Sequence, residues 1–308
     1  MNRPHYLAFE SGGTKLVAAV AGPDATLLET NIFPRDSDHR GEESLARLIE
    51  AGRALRAKYE RRGASFAAIG FGYGGGFDRK TGRPLVCLHE PGWEEIEIGA
   101  RLQEAFGLPT VVDNDCKVAA LGEARFGAGR GAESVFYVTL GTGIGGGFVR
   151  HGKIVELSPK GEAELGHIQV LPDGPPCVCG GRGCVEALSS GPGMHALAGW
   201  LNEGVNPFAN SLEVIEAWRS GDELATRTVE TAATGLAHGL AAVISLFAPE
   251  LIVVGGGLGS DNPDYLEQVE QRTRPLVTPY FRNHWRLTIG ELGELAGTQG
   301  AAALAQQL

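Results

Sequence analysis

Basic residues are in short supply: 27 Lys and Arg stand against 37 Asp and Glu in 308 residues, and no Lys/Arg-rich run interrupts that balance. A formal charge of −10 speaks against nucleic acid or an anionic membrane as the main partner. Long apolar runs are missing as well. No stretch of about 18 apolar residues is present to span a bilayer, and residues 1–13 lack the apolar core of a signal peptide. The most apolar region, 236–248, is broken by His238, Gly239 and Ser245 and reads as a buried helix. A cytoplasmic protein is expected. Cysteine is scarce, five in all, and in a reducing compartment clustered cysteines are metal ligands more often than disulfides.

What the chain does have is glycine. Its 46 glycines gather in runs at 72–76, 143–147 and 255–259, as turns do where backbone approaches a ligand or a strand meets a helix at a tight corner. An apolar content of 43% suffices for ordinary cores, and the length favours about two domains over one.

The segment YLAFESGGTKLVAAVAG predicts strand, glycine turn, strand. Leu45, Leu48, Ile49 and Leu55 recur at helical spacing up to Gly63. A strand, FAAIGFGYGGG, then runs into a glycine loop. It is followed by a helix ended by Gly107 and Pro109, the strand TVVDND and the helix CKVAALGEARFG. SVFYVTLGTGIGGGFVRHGKIV restarts the pattern. After it come a long helix over 223–247, the strand LIVVGGG, a helix near 265–277, the strand WRLTIGEL and a closing helix. Two α/β halves, each opening on a glycine-tipped hairpin, imply a duplicated architecture with a ligand between them. The expected division is 1–118, with the C-terminal helix 296–308 returning to it, and 119–295.

Glu10–Lys15 (ESGGTK) and 140–147 (LGTGIGGG) each offer bare backbone N–H groups and a Thr hydroxyl at a turn. Such turns hold phosphate oxygens, and a plain hairpin uses the same residues. Neither matches a Walker loop or a dinucleotide fingerprint. As a pair heading two similar halves, they favour a nucleotide. LIVVGGGLG offers backbone against which adenine or ribose would lie, or simply another sheet-to-helix turn. VVDNDCK sets Asp113, Asn114 and Asp115 at the C-terminal end of a strand, where open α/β sheets place ligands. A carboxylate there can act as general base on a sugar hydroxyl, whereas one of the three is wanted as the cap of the following helix.

His167, Cys177, Cys179 and Cys184 are the sharpest cluster. Four soft or borderline ligands around Gly180-Gly181-Arg182-Gly183 suit a tetrahedral, structural Zn²⁺, with a redox pair or free thiols as the other readings. Glu164 and Glu186 flank the loop 167–184 and would be held still by it. Cys87 and Cys116 are expected as buried apolar residues.

Taken together, ESGGTK, VVDNDCKVAALGEARFGAGRG, VTLGTGIGGGFV, GEAELGHIQV with CVCGGRGCVEALSSGPG, and LFAPELIVVGGGLG resemble the ROK family of bacterial sugar kinases and related repressors. The resemblance implies an actin-like ATPase (ribonuclease H-like) fold, with two α/β domains and an interdomain cleft that closes on ATP–Mg²⁺ and a hexose. It implies Asp115 as catalytic base. Gly74, His89, Asn114, Glu164, His167 and Glu186 would bind sugar. Glu10, Gly12, Gly13, Thr14, Lys15, Gly141, Thr142, Gly143, Gly255, Gly256 and Gly257 would meet ATP and Mg²⁺. The same resemblance implies zinc on His167, Cys177, Cys179 and Cys184, and a homodimer.

Four positions depart from the family pattern. Glu10 replaces the common Asp, as in the ROK fructokinases, and Gly72-Tyr73-Gly74-Gly75 lacks the usual proline. LHEPGW places His89 and Glu90 where an Asn is usual, and Lys117 replaces a common Asn. Lys117 is expected to pair with Asp115 or lower its pKa. Glucose, fructose, mannose or an N-acetylhexosamine are all admissible acceptors at the 6-hydroxyl. A ROK repressor would need a winged-helix domain before the first strand, which here begins by Tyr6. A catalytically silent sugar-binding protein is the remaining alternative.

Overall fold

A computed structural model describes residues 3–35, 40–86 and 91–308. The chain divides into two compact units: 1–133 with 147–162 and 294–308, and 134–146 with 163–293.

The first unit is built on a five-stranded sheet. Its strands are β1 (His5–Ser11), β2 (Lys15–Ala21), β3 (Leu27–Pro34), β4 (Phe66–Tyr73) and, after a small hairpin, β7 (Thr110–Asn114), in the order β3-β2-β1-β4-β7. β5 (Gly76–Asp78) and β6 (Arg83–Val86) form that hairpin. β1 pairs antiparallel with β2 and parallel with β4, and β4 pairs parallel with β7. β1 and β4 are buried over most of their length, as central strands covered on both faces must be, so their sequences read as apolar runs without alternation.

Helix α1 (Gly41–Glu60) lays Leu45, Leu48, Ala51, Gly52 and Leu55 on the core. Helix α2 (Ile98–Phe106) buries Ile98, Leu102 and Phe106, one side chain per turn, and stops at Gly107, whose φ of 66° is the left-handed C-cap glycine adopts most easily. Helix α3 (Asp115–Phe126) follows β7 without a loop. On the other face lies α10 (Ala296–Ala305), packed against α3, β1 and β4. Its close approach depends on two glycines: a Cβ on Gly70 would collide with the Ala301 carbonyl, and one on Gly300 with the Val118 carbonyl.

The second sheet repeats the same plan, third-second-first-fourth-fifth: β10 (Lys153–Ile154), β9 (Ile144–Arg150), β8 (Ser134–Leu140), β11 (Leu251–Gly255), β12 (Arg286–Ile289). β8, β11 and β12 are parallel, and the division between the units runs through β9. In the second unit, α4 (Val185–Ser189), α5 (Gly191–Leu201) and α6 (Ser211–Arg219) pack on α7 (Glu223–Phe247). α8 (Gly257–Ser260) and α9 (Pro263–Leu276) complete it. α7 is long and apolar enough to cross a membrane, but thirteen of its residues are buried, as in a core helix.

The division falls later than the expected position near 118. Helix α3 runs unbroken through that position to Phe126 and packs along α10, so no boundary can be cut there.

Candidate functional site

Three parallel strands of the first unit end at the residues singled out in the sequence. β1 ends at Ser11 before the Gly12–Gly13 turn, β4 at Tyr73 before Gly74, and β7 at Asn114 before Asp115. This is the edge at which α/β sheets hold ligands.

At the first turn, Gly12 N–H donates to the Lys15 carbonyl at 3.0 Å, and Gly13 and Thr14 are exposed. Lys15 Nζ bonds the Glu294 carbonyl. Glu10 lies under this turn, 7% exposed, with Thr298 Oγ1 donating to Oε2 at 2.6 Å at the start of α10. Oε1 is on the Gly12 side, 3.5 Å from where a Cβ there would sit. Burial raises the Glu10 carboxyl above its usual range, against the opposing pull of Lys15 and Thr298.

At the third strand end the cap and the base candidate separate. Asn114 is the cap: its Oδ1 accepts from Cys116 N at 2.9 Å and Lys117 N at 3.3 Å, and its Nδ2 donates to the Gly75 carbonyl at 3.0 Å. The side chain expected to grip sugar therefore spends its oxygen on the helix, and an amide has one further N–H to offer. Asp115 opens α3, where the helix dipole favours negative charge. Its Oδ1 accepts from Cys116 N at 2.8 Å, and its Oδ2 would stand 3.2 Å from a Cβ on Gly74. Cys116 is buried as expected. His89, Glu90 and Cys87 lie outside the described residues.

Lys117 turns out to face an acid the sequence did not single out. Its Nζ lies 2.7 Å from Glu162 Oε1. Arg79 Nη2 sits 3.3 Å from the same Glu162 oxygen and 2.8 Å from Asp113 Oδ2. Neither Arg79 nor Glu162 belongs to a recognisable spacing, and only their shared burial marks them.

In the second unit, two glycine loops follow adjacent parallel strands. Gly141 follows β8, and a Cβ on it would stand 4.0 Å from the Gly256 Cα after β11. Gly256 holds φ at 81° against the Leu140 backbone. Thr142 and Gly257 are exposed, and Gly143 and Gly255 complete the pair of turns.

Glu164 precedes a 3₁₀ turn, Leu165–His167, whose His167 N–H donates to the Glu164 carbonyl at 3.1 Å. His167 Nδ1 is 3.8 Å from Cys177 Sγ, and Cys179 Sγ is 3.7 Å from Cys184 Sγ, too far for a disulfide. The ligand atoms of His167, Cys177 and Cys179 all lie within 4.8 Å of one another. Burial pushes the Cys184 thiol up to about 12 and raises that of Cys177, while the Gly181 N–H favours the Cys179 thiolate. The loop folds back through Gly180 N–H to the Cys177 carbonyl at 3.0 Å and Cys177 N–H to the Gly181 carbonyl at 2.9 Å. Glu186, expected to present its carboxylate to a sugar, has one oxygen engaged: Oε2 accepts the backbone N–H of Ile144 at 2.8 Å, in the glycine turn itself.

Comparison with known proteins agrees with this geometry. A model described as the ROK family matches residues 6–308. Kanosamine kinase of Amycolatopsis mediterranei (strain S699) is 32% identical, over 99% of this chain and 97% of its own. The crystal structure of a ROK hexokinase from Thermus thermophilus superposes with a TM-score of 0.87 at 32% identity, covering 98% of each chain. A ROK family glucokinase from Streptomyces griseus, in complex with glucose and AMPPNP, gives a TM-score of 0.76 at 32% identity, covering 99% of this chain and 100% of that one.

Proposed function

The chain belongs to the ROK family, and from that premise we propose that it is an ATP-dependent sugar kinase that phosphorylates the 6-hydroxyl of a hexose or amino-hexose. Asp115 is the base. The observation that carries this is its setting at the junction of β7 and α3, with Oδ1 fixed by the Cys116 N–H and Oδ2 on the side where Gly74 has no side chain. Asp115 takes the proton of the attacking hydroxyl, the sugar oxygen bonds to the γ-phosphorus, and the bond to the ADP oxygen breaks. Catalysis is mainly positioning and charge neutralisation.

Gly74, His89, Asn114, Glu164, His167 and Glu186 are the candidate sugar-binding residues that the family resemblance supplies. The Gly12–Lys15 turn and the Gly141–Gly143 and Gly255–Gly257 loops receive the nucleotide. Mg²⁺ bound with ATP would supply charge neutralisation at the γ-phosphoryl group, and Glu10 Oε1, the oxygen on the side of the Gly12 turn, would accept a hydrogen bond from one of its waters.

A zinc reading of the cysteine loop is supported by His167, Cys177 and Cys179, whose ligand atoms lie within 4.8 Å of one another, with Cys184 outside that group but beside Cys179. Bonds of ~2.3 Å to sulfur in a tetrahedron set two sulfurs about 3.8 Å apart, and Cys179 and Cys184 stand at 3.7 Å. His167, Cys177, Cys179 and Cys184 would fill all four positions, so the ion serves structure and leaves none open for substrate. α7 packs as a core helix, which suits an enzyme working in solution.

A coupled ADP-release assay across glucose, fructose, mannose, glucosamine and N-acetylated hexosamines tests the reading. Turnover on at least one sugar is expected, with Asp115→Asn reduced by roughly 10²-fold or more, the loss typical of a missing general base. A wild-type protein that binds hexoses without turning any over would instead be the silent sugar-binding protein.

A further inference from the structure

Four charged side chains, none more than 14% exposed, form a continuous chain in the first unit: Asp113, Arg79, Glu162 and Lys117. Arg79 meets Asp113 through two of its three guanidinium nitrogens, Nη2 at 3.0 Å to Oδ1 and 2.8 Å to Oδ2, and Nε at 3.2 Å to Oδ2. Glu162 receives Arg79 at 3.3 Å and Lys117 at 2.7 Å on Oε1. Its Oε2 accepts the backbone N–H groups of Leu157 and Ser158, both at 3.2 Å. The four charges sum to zero. Exposed Glu156 reaches Arg79 only at 3.8 Å.

The sequence positions of these residues give the chain its meaning. Asp113 is the last residue before Asn114 and Asp115, and its Oδ1 accepts the Asn114 N–H at 2.8 Å. Lys117 lies two residues after Asp115, in the first turn of α3. Both shoulders of Asn114–Asp115 are therefore clamped by one network. Arg79 anchors the far side. Its N–H donates to the Pro159 carbonyl at 2.9 Å and its Nη1 to the Ser158 carbonyl at 3.2 Å. The β5–β6 hairpin, the β7–α3 junction and residues 156–162 are thus tied at one point.

We propose that Arg79, Asp113, Lys117 and Glu162 are positioning residues that set the orientation of Asp115, with the Lys117–Glu162 pair as the decisive link. A buried pair of this kind is a poor device for stability, because desolvating both charges offsets most of their attraction. What it supplies is a fixed geometry, which a base near a reacting hydroxyl needs to within a fraction of an ångström. This rests on the kinase reading and on Asp115 as its base.

The test compares wild type with Lys117→Met, Glu162→Gln and the double variant, measuring kcat, KM for hexose and for ATP, and Tm. Each single variant strands a buried charge and is expected to lose tenfold or more in kcat with KM for ATP unchanged. The double variant removes both charges and should recover in Tm. Its kcat should stay at least threefold below wild type and fall no further than the worse single variant. Where a single variant fails to fold, the double variant decides. A double variant with kcat within threefold of an active wild type overturns the positioning role, whatever its Tm, since a merely structural pair would move Tm and leave kcat. A wild type inactive on every hexose overturns the kinase reading and this proposal with it.

Discussion

Glu186 Oε2 accepts the Ile144 N–H at 2.8 Å, so a carboxylate two residues past Cys184 holds the glycine turn that follows β8. The contact is tight: a Cβ on Gly143 would lie 2.9 Å from the same oxygen. A second brace joins it, Gly191 N–H to the Gly141 carbonyl at 2.8 Å. The cysteine loop and the candidate nucleotide loop are therefore one mechanical piece within the second unit. Glu186→Ala leaves the Ile144 donor without its acceptor, a loss of about 1–3 kcal/mol, or roughly 5- to 150-fold. The expected result is a raised KM for ATP as well as for hexose. Glu186→Gln keeps an acceptor oxygen and should hold KM for ATP within about twofold while weakening the sugar. Steady-state kinetics with each substrate varied in turn separate the two.

The same linkage extends to the proposed zinc. Metal analysis of the purified protein should find one zinc per chain, and Cys179→Ser should lower that content. Through Glu186 the loss is expected to reach the glycine turn, raising KM for ATP along with KM for hexose. Full activity and unchanged Tm in a metal-free protein would remove zinc from the account.

Much of this architecture could be read before any coordinates. The glycine-tipped hairpins, the helix 223–247 and the end of α2 at Gly107 follow from local periodicity and turn chemistry, which a single sequence carries in full. The cysteine loop was legible for the same reason, since its spacing and its glycines lie within one short stretch. What stayed hidden is long-range. Glu162 stands 45 residues from Lys117 and 83 from Arg79, and no local pattern predicts that three such segments converge. Asn114 shows the limit at close quarters. The sequence asked for a cap among Asp113, Asn114 and Asp115, and only the backbone direction at the end of β7 assigns it.

Glu10 carries a pH prediction. Burial raises its carboxyl above the ordinary carboxylate range, so the folded protein keeps this proton to higher pH than the unfolded chain does. Between the unfolded and folded pKa values the native state binds more protons, and stability falls as pH rises through that window. Glu10→Gln has no proton to lose there, and its amide oxygen still accepts from Thr298. The variant should match wild type in Tm near pH 4 and equal or exceed it at pH 7, by calorimetry without nucleotide. Its kinase activity should drop tenfold or more, because Glu10 is the proposed ligand of a Mg²⁺-bound water. A variant less stable than wild type at pH 7 would show that the ionised carboxylate stabilises the fold.

Gly300 sets two effects of opposite sign against each other. It lies inside α10, where replacing glycine by alanine ordinarily stabilises a helix by about 1 kcal/mol. Here the new Cβ would run into the Val118 carbonyl and stand 3.0 Å from Gly122 N. Both obstacles are backbone atoms of α3, so no side chain can swing aside and the two helices must part. Overpacking of this kind costs about 1–3 kcal/mol and more where backbone moves, so the steric term wins. Gly300→Ala should lower Tm by several degrees, on the scale of about 2–4 °C per kcal/mol for a domain of 150–250 residues. Because α3 begins at Asp115, the displacement should also lower kcat. A variant with raised Tm would mean that α10 sits further from α3 in solution than it does here.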